Sequence, residues 1–242
     1  MIALQITATT PHGVVLSRPW GISFDGLLAS VVWHRRKSAA QAAGHHLTYN
    51  PDAPPETLQL PLARCGDGES DWHWMATFSD RHPRSPEVSD PDIRWRTSRT
   101  DRRRLQQLSP VIARAGGGGV SDSTGRDQRR LVSVIARPAT HLTWRAVGDP
   151  EQIRDLLTDL RSIGKHTGVG EGEVTRWDVT EIPDVTTWSA GHEHEDGILG
   201  RTTPPRCLHD RPQEAVGPLG IGSLRPPYLH RATRSEAYQP AR

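Results

Sequence analysis

Apolar and polar side chains alternate over residues 2–7, with Ile2, Leu4 and Ile6 set against Gln5 and Thr7. A period of two is that of a half-buried strand. After a stretch broken by Pro11, Gly13, Pro19 and Gly21, the period lengthens. Phe24, Leu27, Leu28, Val31 and Val32 recur at spacings of three and four, which predicts an amphipathic helix. Ser23 or Asp25 stands where an N-cap belongs, and His34, Arg35, Arg36 and Lys37 close the segment. Residues 50–91 carry prolines, glycines and short polar runs interrupted by Trp72, Trp74 and Phe78, which predicts loops and short strands.

Regular patterning returns further along. Residues 131–137 and 141–147 are strand-like, and Pro138, Ala139 and Thr140 between them suit a hairpin. A helix follows. Asp149 can cap it, Pro150 takes its first position, and Gln152 completes a pair resembling a capping box. Ile153, Leu156, Leu157, Leu160 and Ile163 mark one apolar face running to Gly164, where a left-handed residue would end the helix. Gly164, Gly168, Gly170 and Gly172 then make a glycine-rich loop into residues 173–181, where Val174, Trp177 and Val179 predict a last strand. The order is β-α, then β-β-α-β. That predicts an α+β fold of the ferredoxin-like kind shared with RNA-recognition motifs, with helices over one face of an antiparallel sheet. Residues 1–181 are expected to form this domain, interrupted by a large arginine-rich insertion at about 38–130. Residues 182–242 form a glycine- and proline-rich extension expected to wrap the surface or meet a partner.

Composition narrows the class. An apolar fraction of 34% with 22 glycines is lean but enough for a core. The longest near-apolar run, residues 26–33, is far below the ~18 residues of a bilayer span, and no basic segment precedes an apolar one at Met1. Membrane insertion and classical secretion are therefore not expected. Cys65 and Cys207 are the only cysteines, too few for a disulfide framework, so a reducing, cytoplasmic setting is expected. The net charge of +2 says little about partners, but Lys37 and Lys165 are the only lysines. Every other cation is an arginine, the side chain suited to bidentate phosphate contact and to stacking on bases.

That chemistry is concentrated at Arg94, Arg96, Arg99, Arg102, Arg103 and Arg104, opposed only by Asp101. These are candidate RNA contacts, with a solvated surface stretch as the alternative. Trp95, flanked by Arg94 and Arg96, is the favoured base-stacking residue, whereas Trp144 and Trp177 lie in predicted strands and are assigned to packing. Arg35 and Arg36 suit either an RNA contact or the dipole at a helix C-terminus. The loop at residues 164–172 is neither a P-loop, since His166 follows Lys165 where Ser or Thr is needed, nor a dinucleotide fingerprint, since it follows a helix. What remains is backbone amides beside Lys165 and Thr167, a cradle that a phosphate backbone can approach closely.

With a first strand, a DGLLA helix at residues 25–29, a late IGKHTGVGEGEV segment at 163–174 and RWDV at 176–179, the chain resembles the RAMP superfamily of CRISPR proteins. It is most similar to the Cas-five-like subunit of type IV effector complexes, the Csf-three group. GIGSLRPPYLH at residues 220–230 looks like the arginine-proline segment these proteins carry near the C-terminus. The resemblance implies a non-catalytic subunit that seats the 5′ handle of a guide RNA and abuts a backbone of helical RAMP subunits, with small helical subunits as further partners. Carried over by position, its loop contacts fall on Lys165, His166, Thr167 and Gly168, with His166 standing where the family usually shows a second basic residue. No catalytic residue and no cofactor is assigned.

Two alternatives differ in chemistry. An endoribonuclease of the same superfamily would use histidine as general acid or base, with His34, His45 and His46 as the positions to suspect. A zinc-binding scaffold would use His192, His194, Cys207 and His209, whose types suit zinc although their spacing does not match a standard finger. No metal site is assigned on that spacing.

Overall fold

In the computed structural model, the described residues are 1–16, 21–48, 50, 52–66, 68, 71–81, 92–98, 130–136, 140–165, 167–195, 197–209 and 215–241. The chain divides into two compact units, one formed by Met1–Ser89 with Pro138–Arg242 and the other by Asp90–Arg137.

The larger unit is built on the alternation seen at the N-terminus, which becomes β1 (Ile2–Thr9). Leu4, Ile6 and Ala8 point into the core. On one side β1 pairs antiparallel with β7 (His141–Gly148), and on the other with β8 (Arg176–Glu181). A short strand, β4 (Asp80–Arg81), adds to the free edge of β7, giving the order β4-β7-β1-β8. Helix α1 (Phe24–Ala42) and helix α2 (Pro150–Leu157) cover one face. Phe24, Leu28 and Val31 of the first and Ile153, Leu156 and Leu157 of the second join Leu142, Trp144, Ala146 and Val179 of the sheet in one core. The other face carries Ala3 and Val147, packed against Ala190 of a short helix, α3 (Thr187–His192).

Among the described residues, three smaller antiparallel pairs belong to the same unit. One is β2 (Arg64–Cys65) with β3 (His73–Trp74), another is β11 (Leu219–Ser223) with β12 (Arg234–Tyr238), and the third is β9 (Glu193–Glu195) with β10 (Ile198–Leu199). Of the C-terminal extension, expected to wrap the surface or meet a partner, Leu199, Arg201, Leu224 and Ala237 are fully buried, whereas Ile221 and Leu229 stand exposed. The smaller unit holds β5 (Asp92–Ser98) and β6 (Arg130–Ala136), paired antiparallel from Asp92↔Ala136 to Ser98↔Arg130.

The structure is thus a mixed α/β architecture with antiparallel sheets. It corrects two expectations. The segments around 131–137 and 141–147 do not form a hairpin with each other: β6 takes β5 as its partner, and both edges of β7 are occupied by β1 and β4. Adjacent strand-like segments invite pairing, but which edges meet is decided by partners distant in sequence. The second helix also stops at Leu157 rather than running to Gly164. Its late carbonyls find other donors, for the Thr158 hydroxyl and Arg35 Nη2 both donate to the carbonyl of Asp155, at 2.6 and 2.9 Å. Beyond it the backbone is held by residues 172 and 174, with the amide of Ile163 donating to Gly172 and that of Val174 to Arg161. Gly164 is left-handed, φ +88°, as expected, but the reason is a backbone crossing. A Cβ there would lie 2.6 Å from the carbonyl oxygen of Val15.

The N-cap of α2 follows the reading closely. Asp149 accepts from the amides of Glu151 and Gln152, and the Gln152 side chain donates back to it at 2.8 Å. These bonds hold the Asp149 carboxyl below its usual range. Ser23 caps α1 by position without a side-chain capping hydrogen bond, its side chain bonding Asp25 instead, and the Asp25 carboxylate is drawn inward to Tyr228, whose hydroxyl reaches both of its oxygens at 2.7 and 2.9 Å. Among the described residues, no helix is long and apolar enough to cross a membrane.

Candidate functional site

The glycine-rich loop is closed at its base and open at its tip. Closure comes from the Ile163 amide on the Gly172 carbonyl, 2.8 Å, and a bridge between Ser162 and Glu173. The Lys165 amide is held by Val15, 2.9 Å, which fixes where the lysine leaves the body. A single 3-10 turn, Thr167–Val169, forms the tip, and Gly170 donates back to Thr167 at 3.1 Å. Lys165, Thr167, Gly168 and Gly170 are exposed, and nothing lies within 4 Å of where a Cβ would stand on Gly168 or Gly170. His166 lies outside the described residues. Two of the expected amides are engaged internally, so the tip offers the Lys165 ammonium, the Thr167 hydroxyl and a backbone unobstructed at Gly168.

The glycines are not equivalent, and this yields a test of the loop's construction. At Gly172, φ is +66° and a Cβ would collide with the carbonyl oxygen of Ile163, the residue whose amide closes the base. Gly172→Ala is expected to cost at least about 1–2 kcal/mol through the left-handed backbone alone, and more through the collision. Gly168→Ala is expected to stay within about 0.5 kcal/mol of the parent. Urea denaturation of the two variants reads the difference.

The other candidate RNA contacts are dispersed. Arg35 clamps α1 to α2, with Nε on Asp159 at 2.6 Å and Nη1 on Asp155 at 2.5 Å. Arg36 pairs with Glu56 at 2.8 Å. Trp95 is 65% exposed in β5, opposite Ser133 in register, and Arg94 and Arg96 stand opposite Val134 and Val132. Arg99, Arg102, Arg103 and Arg104 fall outside the described residues. Trp144 and Trp177 pack as expected: Trp144 is buried, and Trp177 lies against the same core with its ring 5.7 Å away. His34, His45 and His46 are exposed on and just after α1.

A second constellation was only half visible in the sequence. Cys65 and His73 are directly opposite each other on β2 and β3, which puts their side chains on one face of that pair. His192 ends α3, and Cys207 ends a 3-10 turn, Pro205–Cys207. The donor atoms of these four residues all lie within 4.8 Å of one another. The two sulfurs are 3.7 Å apart and the two Nε2 atoms 2.9 Å apart. Both imidazoles are fully buried and the cysteines half-buried.

The electrostatics of the cluster follow from this burial. Removal from water holds His73 neutral, its pKa pushed down to about 3, with the Arg201 cation reinforcing the effect. The thiols share a hydrogen bond that pulls Cys65 down and pushes Cys207 up. His192 Nδ1 donates to the Trp188 carbonyl at 2.8 Å, leaving its Nε2 lone pair facing the cluster. His73 Nδ1 is buried without a hydrogen-bond partner.

Of the four donors weighed on sequence spacing, His192 and Cys207 are here and His194 and His209 are not among the four. Their places are taken by Cys65 and His73. Two of the four are legible in the sequence through the His192-x-His194 and Cys207-x-His209 pairs; the signal that could have found the rest is the cysteine count, since the chain's two cysteines meet from positions 142 apart.

A family model described as CRISPR type IV associated protein Csf3 matches residues 2–240. No curated protein matches the chain at a significant level.

Proposed function

From the premise that the chain belongs to the Csf3 family of CRISPR type IV associated proteins, and so is a component of a type IV CRISPR complex, we propose that it is a non-catalytic, RNA-binding subunit of ferredoxin-like (RAMP) fold. In this reading it seats the 5′ end of a guide RNA and caps a row of helical RAMP subunits.

The fold assignment is supported by strand order. Taking β1, β4, β7 and β8 as the four strands and α1 and α2 as the two crossovers, the sequence runs β-α-β-β-α-β with the two later strands antiparallel on either side of β1. The role is supported chiefly by one observation, the open tip of the 164–172 loop. A lysine fixed by its own amide, a hydroxyl and an unobstructed glycine stand together in solvent on a base that cannot splay. A single-stranded RNA held through its phosphates needs such close backbone approach, and exposed Trp95 offers a stacking surface for bases.

The test uses the assembled complex. Co-expression with the partner subunits should give particles containing RNA, and Lys165→Ala with Thr167→Ala should lower RNA retention. It should also reduce the slope of log affinity against log salt by about 0.7, the loss of one phosphate contact to a single strand. Unchanged retention and slope in the double variant would remove this loop from the interface. Cleavage of repeat RNA by the purified protein in EDTA, abolished by His45→Ala or His46→Ala, would replace the binding role with an endoribonuclease one.

A further inference from the structure

We propose that Cys65, His73, His192 and Cys207 bind one zinc ion in a closed, structural site. The inference stands on geometry and on the donor set, independently of the RNA-binding role.

Zinc bound tetrahedrally through bonds of about 2.3 Å to sulfur places two thiolates about 3.8 Å apart. Cys65 and Cys207 are separated by 3.7 Å, that spacing within a tenth of an ångström and well beyond the ~2.05 Å of a disulfide. Bonds of about 2.0–2.1 Å to nitrogen place two imidazole donors about 3.3 Å apart, so the Nε2 atoms at 2.9 Å would part by a few tenths of an ångström to admit the ion.

The donor types select the metal. Two thiolates and two imidazoles in a tetrahedral arrangement suit zinc above magnesium or calcium, which take oxygen ligands. Two thiolates cancel the charge of a divalent cation, so the loaded site is neutral overall and can sit among buried groups. Four protein donors complete the coordination, leaving no position open for a reacting water, which makes the site structural.

Its surroundings act as a ligand-orienting shell. The Trp188 carbonyl accepts from His192 Nδ1 and so fixes the tautomer that directs Nε2 inward. The Trp188 ring stacks on the His192 ring at 4.6 Å and 10°, holding its plane. With that tautomer set, the His192 lone pair meets His73 Nε2 at 2.9 Å, and a shared cation relieves the crowding of donors there. The ion would pin β2, β3, the end of α3 and the 205–207 turn to one point, joining the N-terminal half of the chain to its C-terminal extension.

The full chain, purified alone or within its complex and dialysed against metal-free buffer, should retain about one zinc per chain by elemental analysis. Replacement with cobalt should give the intense visible bands of a tetrahedral ion and a thiolate charge-transfer band. Cys65→Ser with Cys207→Ser should abolish both, whereas His194→Ala and His209→Ala should leave both intact. Should the double variant fail to fold, the cobalt spectrum of the parent and the single variant His192→Ala carry the test, the latter expected to lower metal retention at least tenfold in a chelator competition. Folded parent protein without stoichiometric zinc, a cobalt spectrum lacking thiolate bands, or a Cys65–Cys207 disulfide found by mass spectrometry would each overturn the site.

Discussion

Replacing Arg201 by Met should destabilise the protein by about 3–5 kcal/mol, a loss on the scale of breaking a buried charged network. The guanidinium is fully buried and holds together parts of the chain distant in sequence. Nη1 donates to the carbonyls of Trp74 and Ala76, Nη2 to that of Leu224 at 2.7 Å, and Nε to that of Thr202 at 3.2 Å. Methionine fills the volume but leaves these acceptors in a dry interior, each a cost of about 1–3 kcal/mol where no water replaces the donor. Arg201→Lys keeps the charge but not the fork and should recover only part of the loss.

The pH dependence of this variant carries a second sign. Burial raises the Asp25 carboxyl above its usual range, and Arg201 is the largest influence pulling it back. Without the cation the carboxyl rises further. A carboxyl raised in the folded state contributes stability that is fully present below its unfolded pKa and lost as pH rises through the folded one. The deficit of Arg201→Met relative to the parent should therefore widen as pH is raised. Chemical denaturation at several pH values measures it, and a deficit that stays constant with pH would mean that Asp25 is not coupled to Arg201.

Trp144→Ala should cost a similar amount, about 3–5 kcal/mol, for a different reason. Trp144 sits in the middle of β7 between Phe24 of α1, ring centroids 6.0 Å apart, and Trp177 of β8, 5.7 Å apart. Truncation opens a cavity where the sheet meets its helices, and rigid strands cannot collapse to fill it. Trp144→Phe keeps most of the packing but withdraws Nε1, which donates to the Ile22 carbonyl at 2.8 Å, and should cost about 1–3 kcal/mol. For a chain of this size each kcal/mol lowers Tm by roughly 2–4 °C, so thermal unfolding separates the two variants. Equal losses for both would place the effect in the lost hydrogen bond and not in the cavity.

How much of this was legible beforehand depends on how local each feature is. The first strand, the start of α1 and the Asp149 cap of α2 are written in residues within a turn or two of each other, and the sequence pattern found them. The partner of β6 is decided by Asp92–Ser98, and nothing near residue 131 encodes that choice. The early end of α2 escaped because Leu160 and Ile163 still pack on the core from turns and irregular backbone, which continues the helical spacing without the helix. Arg35 read as an RNA contact or a partner of the helix dipole because its acidic partners, Asp155 and Asp159, are 120 and 124 positions away. The Cys65–His73–His192–Cys207 cluster was half legible for the same reason. Short ligand spacings mark metal sites made by one loop, and this one draws on four separate elements.

The burial of the C-terminal extension bears on how the protein is made. While a ribosome is still short of residue 224, Asp25 has no Tyr228 to hold it and Arg201 lacks its Leu224 carbonyl. Nascent chains therefore carry an unfinished interior until translation passes Ala237, which is itself fully enclosed. Long-range closure of this kind is slow relative to local helix formation. The interior around Asp25 and Arg201 accordingly closes only after β12 has been synthesised.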